Sequence, residues 1–216
     1  MSNRFQNKGR ALILAVAPLA LLAGALLHPY LGGVPDTAAL AQAVAANPTR
    51  WGIAHIVIGV GIALALLLFF AVRVHLHDKG EDVWSFWATP LATIGLGLVG
   101  FMVGAEGVGG RGAAALGDVQ TFFEQVMAWA VPLYLTANVL LGFGLLGFAK
   151  GVSTSGILAK NTTRIVWAGA VIATVALFLP TGWAAHLVSV GMLAFAWPLA
   201  EHLWSESQGD APPSAA

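Results

Sequence analysis

Three histidines, His28, His55 and His186, lie within a turn or two of one end of three apolar stretches. Glu106 lies just past the end of a fourth. Imidazole nitrogens and a carboxylate oxygen form a donor set that suits Zn²⁺ or Cu²⁺. His55 and His186, placed on facing helices, form the best pair for a haem b iron. His28 and Glu106 complete the metal-ligand set. Each histidine has a glycine one turn away: Gly24 for His28, Gly52 and Gly59 for His55, Gly182 for His186. Missing side-chain bulk beside a ring leaves room for a flat cofactor or another backbone. The plainer role is interfacial: imidazole is amphipathic, and water satisfies it near a membrane surface. A third role is pH sensing or substrate contact, because imidazole titrates near neutrality.

These residues need helices to position them, and composition says in which solvent. Of 216 residues, 58% are hydrophobic and 9% charged, against about 25% charged in a soluble domain. Such a surface calls for lipid. The formal charge is zero, so nucleic acid is excluded as a partner, since phosphate neutralisation needs an excess of Lys and Arg. The absence of cysteine removes disulfides, thiolate metal sites, iron–sulfur clusters and thiol nucleophiles.

Charge-free runs cover 11–35, 51–72, 83–105, 125–149 and 165–200. A crossing needs about 20 apolar residues, so the first four runs give one span each. The last has 36 residues and contains Pro180-Thr181-Gly182-Trp183, a breaker followed by an interfacial aromatic. It divides into two. The expected fold is an all-α membrane protein, a six-transmembrane-helix bundle in one domain, 1–204. The spans are about 11–31, 51–73, 84–104, 125–149, 162–181 and 183–203, followed by a disordered cytoplasmic tail over 205–216. Arg4, Lys8, Arg10, Arg73, Lys79, Lys150, Lys160 and Arg164 fall on one side, and only Arg50 and Arg111 on the other. The positive-inside rule then places both termini in the cytoplasm and the histidine cluster outside, in what is expected to be a bacterial cytoplasmic membrane. The basic start resembles a signal peptide, but its apolar run exceeds the usual 7–15 residues.

Residues 36–47 read as a short outer helix, with Asp36 as N-cap and Asn47-Pro48 as its stop. Residues 104–112 read as a glycine-rich loop. Its match to the dinucleotide fingerprint, Gly107-Val108-Gly109-Gly110-Arg111-Gly112, follows no strand and is discounted. Residues 118–124 read as an interfacial lead-in to span four. Thr89, Thr93, Gly97, Gly100 and Gly104 form a small-residue stripe that places span three in the middle of the bundle. His75, His77 and His202 lie at the inner ends. The mismatch between His55–His75 and His186–His202, about 6 Å, argues against a second haem there, and His75 and His77 are assigned to a wet loop with Asp78, Lys79, Glu81 and Asp82. At mid-depth the polar residues are Thr93, Asn138 and Thr174, for packing or substrate contact. No ionisable group lies there, although pumps usually hold one.

Three functions remain open. The chain is a membrane redox or metal-binding subunit; or a carrier or channel for a small neutral or lipophilic solute; or an assembly partner of other membrane subunits with no site of its own. No motif calls for an enzyme, and the bilayer is the one partner that composition itself requires.

Overall fold

The computed structural model describes residues 3–29, 36–179 and 183–209. Among them every regular element is an α-helix: α1 (Asn3–Leu27), α2 (Thr37–Ala46), α3 (Pro48–Asp78), α4 (Trp84–Leu116), α5 (Val119–Ser155), α6 (Lys160–Ala176) and α7 (Ala184–Gln208). Five of them, α1, α3, α4, α5 and α7, are long and apolar enough to cross a membrane. Their outward faces carry Ile56, Trp87, Phe101 and Phe143, between 64% and 66% exposed. Water would not tolerate that much contiguous apolar surface on a monomer. The chain has the build of an integral membrane protein.

Local chemistry sets the helix ends. Asp36 accepts the Ala39 amide at 2.6 Å and starts α2. Asn47 ends α2 and caps α3, accepting the Arg50 amide at 2.9 Å. Pro48 follows in the first turn of α3, where its missing N–H costs nothing. The Glu81 carboxylate receives the amides of Val83, Trp84 and Ser85 at 3.0, 2.7 and 3.1 Å and so starts α4. Gly117, Gly156 and Gly209 close α4, α5 and α7 in the left-handed conformation, which glycine adopts without a Cβ penalty.

Six helices close a ring in the order α1, α3, α4, α5, α6, α7, with α7 returning to α1. Span three, seen here as α4, is therefore one member of a ring and not its centre. The stripe expected on it is only partly used. A Cβ on Gly97 or Gly104 would meet nothing within 4 Å, and one on Gly100 would touch Ile62 at 3.2 Å. The close approach falls on the adjoining face, where a Cβ on Gly95 would lie 2.6 Å from the Leu141 nitrogen of α5. Small residues permit contact, but helix rotation decides which of two small-residue faces is used.

The glycine-rich segment 104–112 is helical and belongs to α4, contrary to the expected loop. Its glycines remove bulk rather than break the helix. A Cβ on Gly107 would sit 2.5 Å from the His55 Cβ, and one on Gly110 would sit 3.2 Å from Trp51 Nε1. Tertiary contact of this kind offsets the roughly 1 kcal/mol helix penalty of each glycine. Residues 119–124 are likewise the first turns of α5. α2 lies over α5, α3 and α4. There Leu40, Val44, Trp51, Val119 and Phe123 form a second small core apart from the main one. α7 continues to Gln208, so residues 205–208, expected to begin a disordered tail, are helical instead. The rest of that tail beyond 209 and the Pro180-Thr181-Gly182 turn lie outside the described residues.

Candidate functional site

The small core beneath α2 is where the first histidine cluster is built. Trp51 is fully buried and donates its indole N–H to the Glu106 carbonyl at 3.1 Å. One turn further along α3, His55 is buried, with its ring centre 4.5 Å from that of Trp51. His28, just beyond α1, brings its ring to 4.9 Å from Trp51 and 5.1 Å from His55. Glu106 comes from α4, its Oε2 3.8 Å from His55 Nε2. Gly107 beside it lets that helix press against His55. Three separate segments thus deliver His28, His55 and Glu106 to one place.

The hydrogen bonds fix the tautomers. His55 Nδ1 lies 2.8 Å from the Trp51 carbonyl, and His28 Nδ1 lies 3.1 Å from the Pro29 carbonyl. A carbonyl can only accept, so both Nδ1 atoms carry the proton. Both Nε2 atoms are then lone-pair donors in the neutral rings. His186 is at the same end of the bundle, on α7. Its ring packs against Trp183 at 5.3 Å, and its Nδ1 is buried without a hydrogen-bond partner.

The opposite end holds a second cluster. His75 of α3 is 2% exposed, not in the wet region expected for it. Its ring centre lies 5.5 Å from that of His202 on α7. Glu206, one turn beyond His202, places Oε1 3.4 Å from His202 Nε2. One ligand atom from each of His75, His202 and Glu206 falls within 4.8 Å of the others. The Nε2 atoms of both histidines are buried and have no hydrogen-bond partner. Around them, Lys79 Nζ lies 2.6 Å from Glu206 Oε1, and Asn7 donates to Oε2 at 3.2 Å. Arg10 pairs with Asp78 at 2.8 Å. His77 is the residue that does face water, pairing with Asp82 at 3.2 Å.

The sequence did hold a signal for this cluster. His75 continues the buried face of Ala65, Leu68 and Val72, and His202 continues that of Phe195 and Leu199, at helical spacing. The nearby charges masked it.

Titration outside the spans is simplest at the α3–α4 connection. Burial pushes the Glu81 carboxyl up, but hydrogen bonds from Ser85 and the Trp84, Ser85 and Val83 amides more than offset this. Its pKa lies below the ordinary carboxylate value. Asp82 is held low chiefly by its hydrogen bond from Arg73.

At mid-depth Asn138 donates from Nδ2 to the Leu177 carbonyl at 2.6 Å, satisfying the end of α6. Its Oδ1 and the Thr93 hydroxyl are buried without partners. Thr174 lies 3.5 Å from the Gly142 carbonyl. No family model, curated protein or solved structure matches the chain.

Proposed function

We propose that the chain is a six-span membrane protein, both termini cytoplasmic, whose His28, His55 and Glu106 bind Zn²⁺ or Cu²⁺ at the outer face. The observation that carries this reading is the pair of locked tautomers. Metal-bound histidines donate their other ring N–H to a carbonyl or carboxylate, and both Nδ1 atoms already do so toward backbone carbonyls. The ligand atoms of His28, His55 and Glu106 do not all lie within 4.8 Å of one another, so the side chains must draw together around an ion, and the ring spacing is compatible with that. With metal–nitrogen bonds of about 2.0–2.1 Å, two imidazoles on one tetrahedral ion have ring centres about 5 Å apart. His28 and His55 stand at 5.1 Å. Opposed axial ligands of a haem would stand about 6 Å apart with the porphyrin between them, so this pair does not suit haem. His186, on α7 at the same end of the bundle with its Nδ1 unpartnered, is the fourth donor in this reading.

The sixth span in this reading is α6. Its 17 residues give about 25 Å of helix, and it packs between α5 and α7 in the ring. The charge bias then sets the sidedness. Metal analysis of chelator-stripped protein reloaded with Zn²⁺ tests the site. His28→Ala and His55→Ala should each remove one equivalent while the protein stays folded; metal content unchanged in both would end the proposal.

A second reading is a carrier for a small neutral solute, favoured by the unpartnered Asn138 Oδ1 and Thr93 Oγ1 at mid-depth. Flux through proteoliposomes that drops on Asn138→Leu would support it, and flux indifferent to that change would not. A pure assembly partner, by contrast, would tolerate every histidine substitution.

A further inference from the structure

We propose a second metal centre at the other end of the bundle, formed by His75, His202 and Glu206, for a divalent cation of the zinc class. It is independent of the His28–His55–Glu106 reading. Three facts converge on it. The ligand atoms already lie within 4.8 Å of one another. A tetrahedral ion with bonds of about 2.0–2.1 Å separates its donors by about 3.4 Å, so only small side-chain movements are needed. The two Nε2 atoms are buried without a hydrogen bond; that of His202 has only Glu206 Oε1 near it, at 3.4 Å, and that of His75 has no polar partner. A buried polar atom without a hydrogen bond is costly, and two of them in rings whose centres are 5.5 Å apart favour a third body that both can bind. The donor set, two imidazoles and a carboxylate, is one that zinc takes with a fourth position left for water or substrate.

The surroundings supply a competitor. Lys79 holds Glu206 Oε1 at 2.6 Å, and its side chain is partly exposed. It can swing into solvent when a cation takes that oxygen. Asn7 keeps the other oxygen oriented from α1. The centre therefore ties together the ends of α1, α3 and α7, with a lysine acting as the counter-ion in the metal-free state.

The test uses the full chain in detergent, stripped with chelator and titrated with Zn²⁺ and, for its visible d–d absorption, Co²⁺. The native protein is expected to take up an equivalent that His28→Ala and His55→Ala leave in place. His75→Asn and His202→Ala should each weaken that equivalent by at least about 100-fold and abolish the tetrahedral Co²⁺ band. Lys79→Met removes nothing buried. It should tighten binding about tenfold at low salt, because a like charge has left the ligand. An unchanged or weaker affinity in Lys79→Met would take Glu206 out of the ligand set and overturn the centre as drawn. So would full metal uptake in a folded His75→Asn, His202→Ala double variant. Loss of all metal on removing His28 and His55 would place the only site at the other end.

Discussion

Gly107 shows how much a single hydrogen atom can decide. A methyl at that position would meet the His55 Cβ at 2.5 Å and Cγ at 2.9 Å. Either the ring moves or α4 backs away, and in both cases Glu106 loses its place. Gly107→Ala is expected to abolish metal uptake at His28 and His55 and to lower the unfolding temperature. Gly104→Ala, with open space around it, should be neutral or slightly stabilising; thermal unfolding in one detergent compares the two directly. Trp51→Phe is the companion test. It removes the indole donor to the Glu106 carbonyl and leaves a small void, for a cost of about 1–3 kcal/mol. A variant as stable as the native chain would show that this contact orders nothing. Sidedness alone made the meeting of His28, His55 and Glu106 readable from sequence. The helical spacing that aligns His75 and His202 with buried faces was masked by charges close in sequence, Asp78, Lys79 and Glu81 beside His75 and Glu201 and Glu206 beside His202. Burial depends on which way a helix is turned, and a mean over neighbouring charges does not carry that angle.

At the scale of one element, α4 depends on Glu81. Its carboxylate gathers three backbone amides at the helix start, where the helix dipole also favours negative charge. Because the folded pKa lies below the ordinary value of 4.5, the stabilisation is fully present above about that pH. It is lost as the pH falls through the folded pKa. Acid unfolding should therefore show a limb below about pH 4.5 that Glu81→Gln flattens, at a cost of about 1 kcal/mol at neutral pH. An acid limb of the same shape in Glu81→Gln would assign it to other carboxylates. The far end of α4 teaches a different lesson about legibility. Segment 104–112 carries every local mark of a loop, yet it is helical because Trp51, His55 and Phe122 fill the space its glycines vacate. Those partners lie on other helices, so no window along the chain could have revealed them.

The whole molecule rests on three hairpins joined by the same device. α1 and α3 meet through Gly24 against Ile58 and Gly61 against Leu21. α4 and α5 meet through Gly95 against Leu141 and Gly144 against Ala92. α6 and α7 meet through Gly169 against Phe195 and Gly191 against Ala173. In all six places a Cβ would strike the partner's backbone. Lipid gives helices no hydrophobic reason to associate, so close backbone contact must supply the attraction. Gly144→Leu or Gly191→Leu should unfold or misassemble the bundle, whereas Gly97→Leu on the open face should not; size-exclusion profiles in detergent distinguish them. Topology is open to a separate check, because the chain has no native cysteine. Asp118→Cys should react with an impermeant maleimide in intact cells and Lys160→Cys only after lysis; the reverse pattern would invert the bundle. Composition and run lengths made the helical membrane build legible. The ring order did not show, since nearly every face is apolar and hydrophobicity cannot rank one neighbour over another.

α3 is a single helix from Pro48 to Asp78, with its only proline in the first turn. It carries His55 near one end and His75 near the other, 20 residues and about 30 Å apart. Such a rod cannot roll or tilt at one end alone. If an ion between His75 and His202 also turned this shaft, it would change how His55 is presented to Glu106. Whatever factor the first ion imposes on the second site's affinity, the second must return in full, so the two faces of the membrane would share one thermodynamic account.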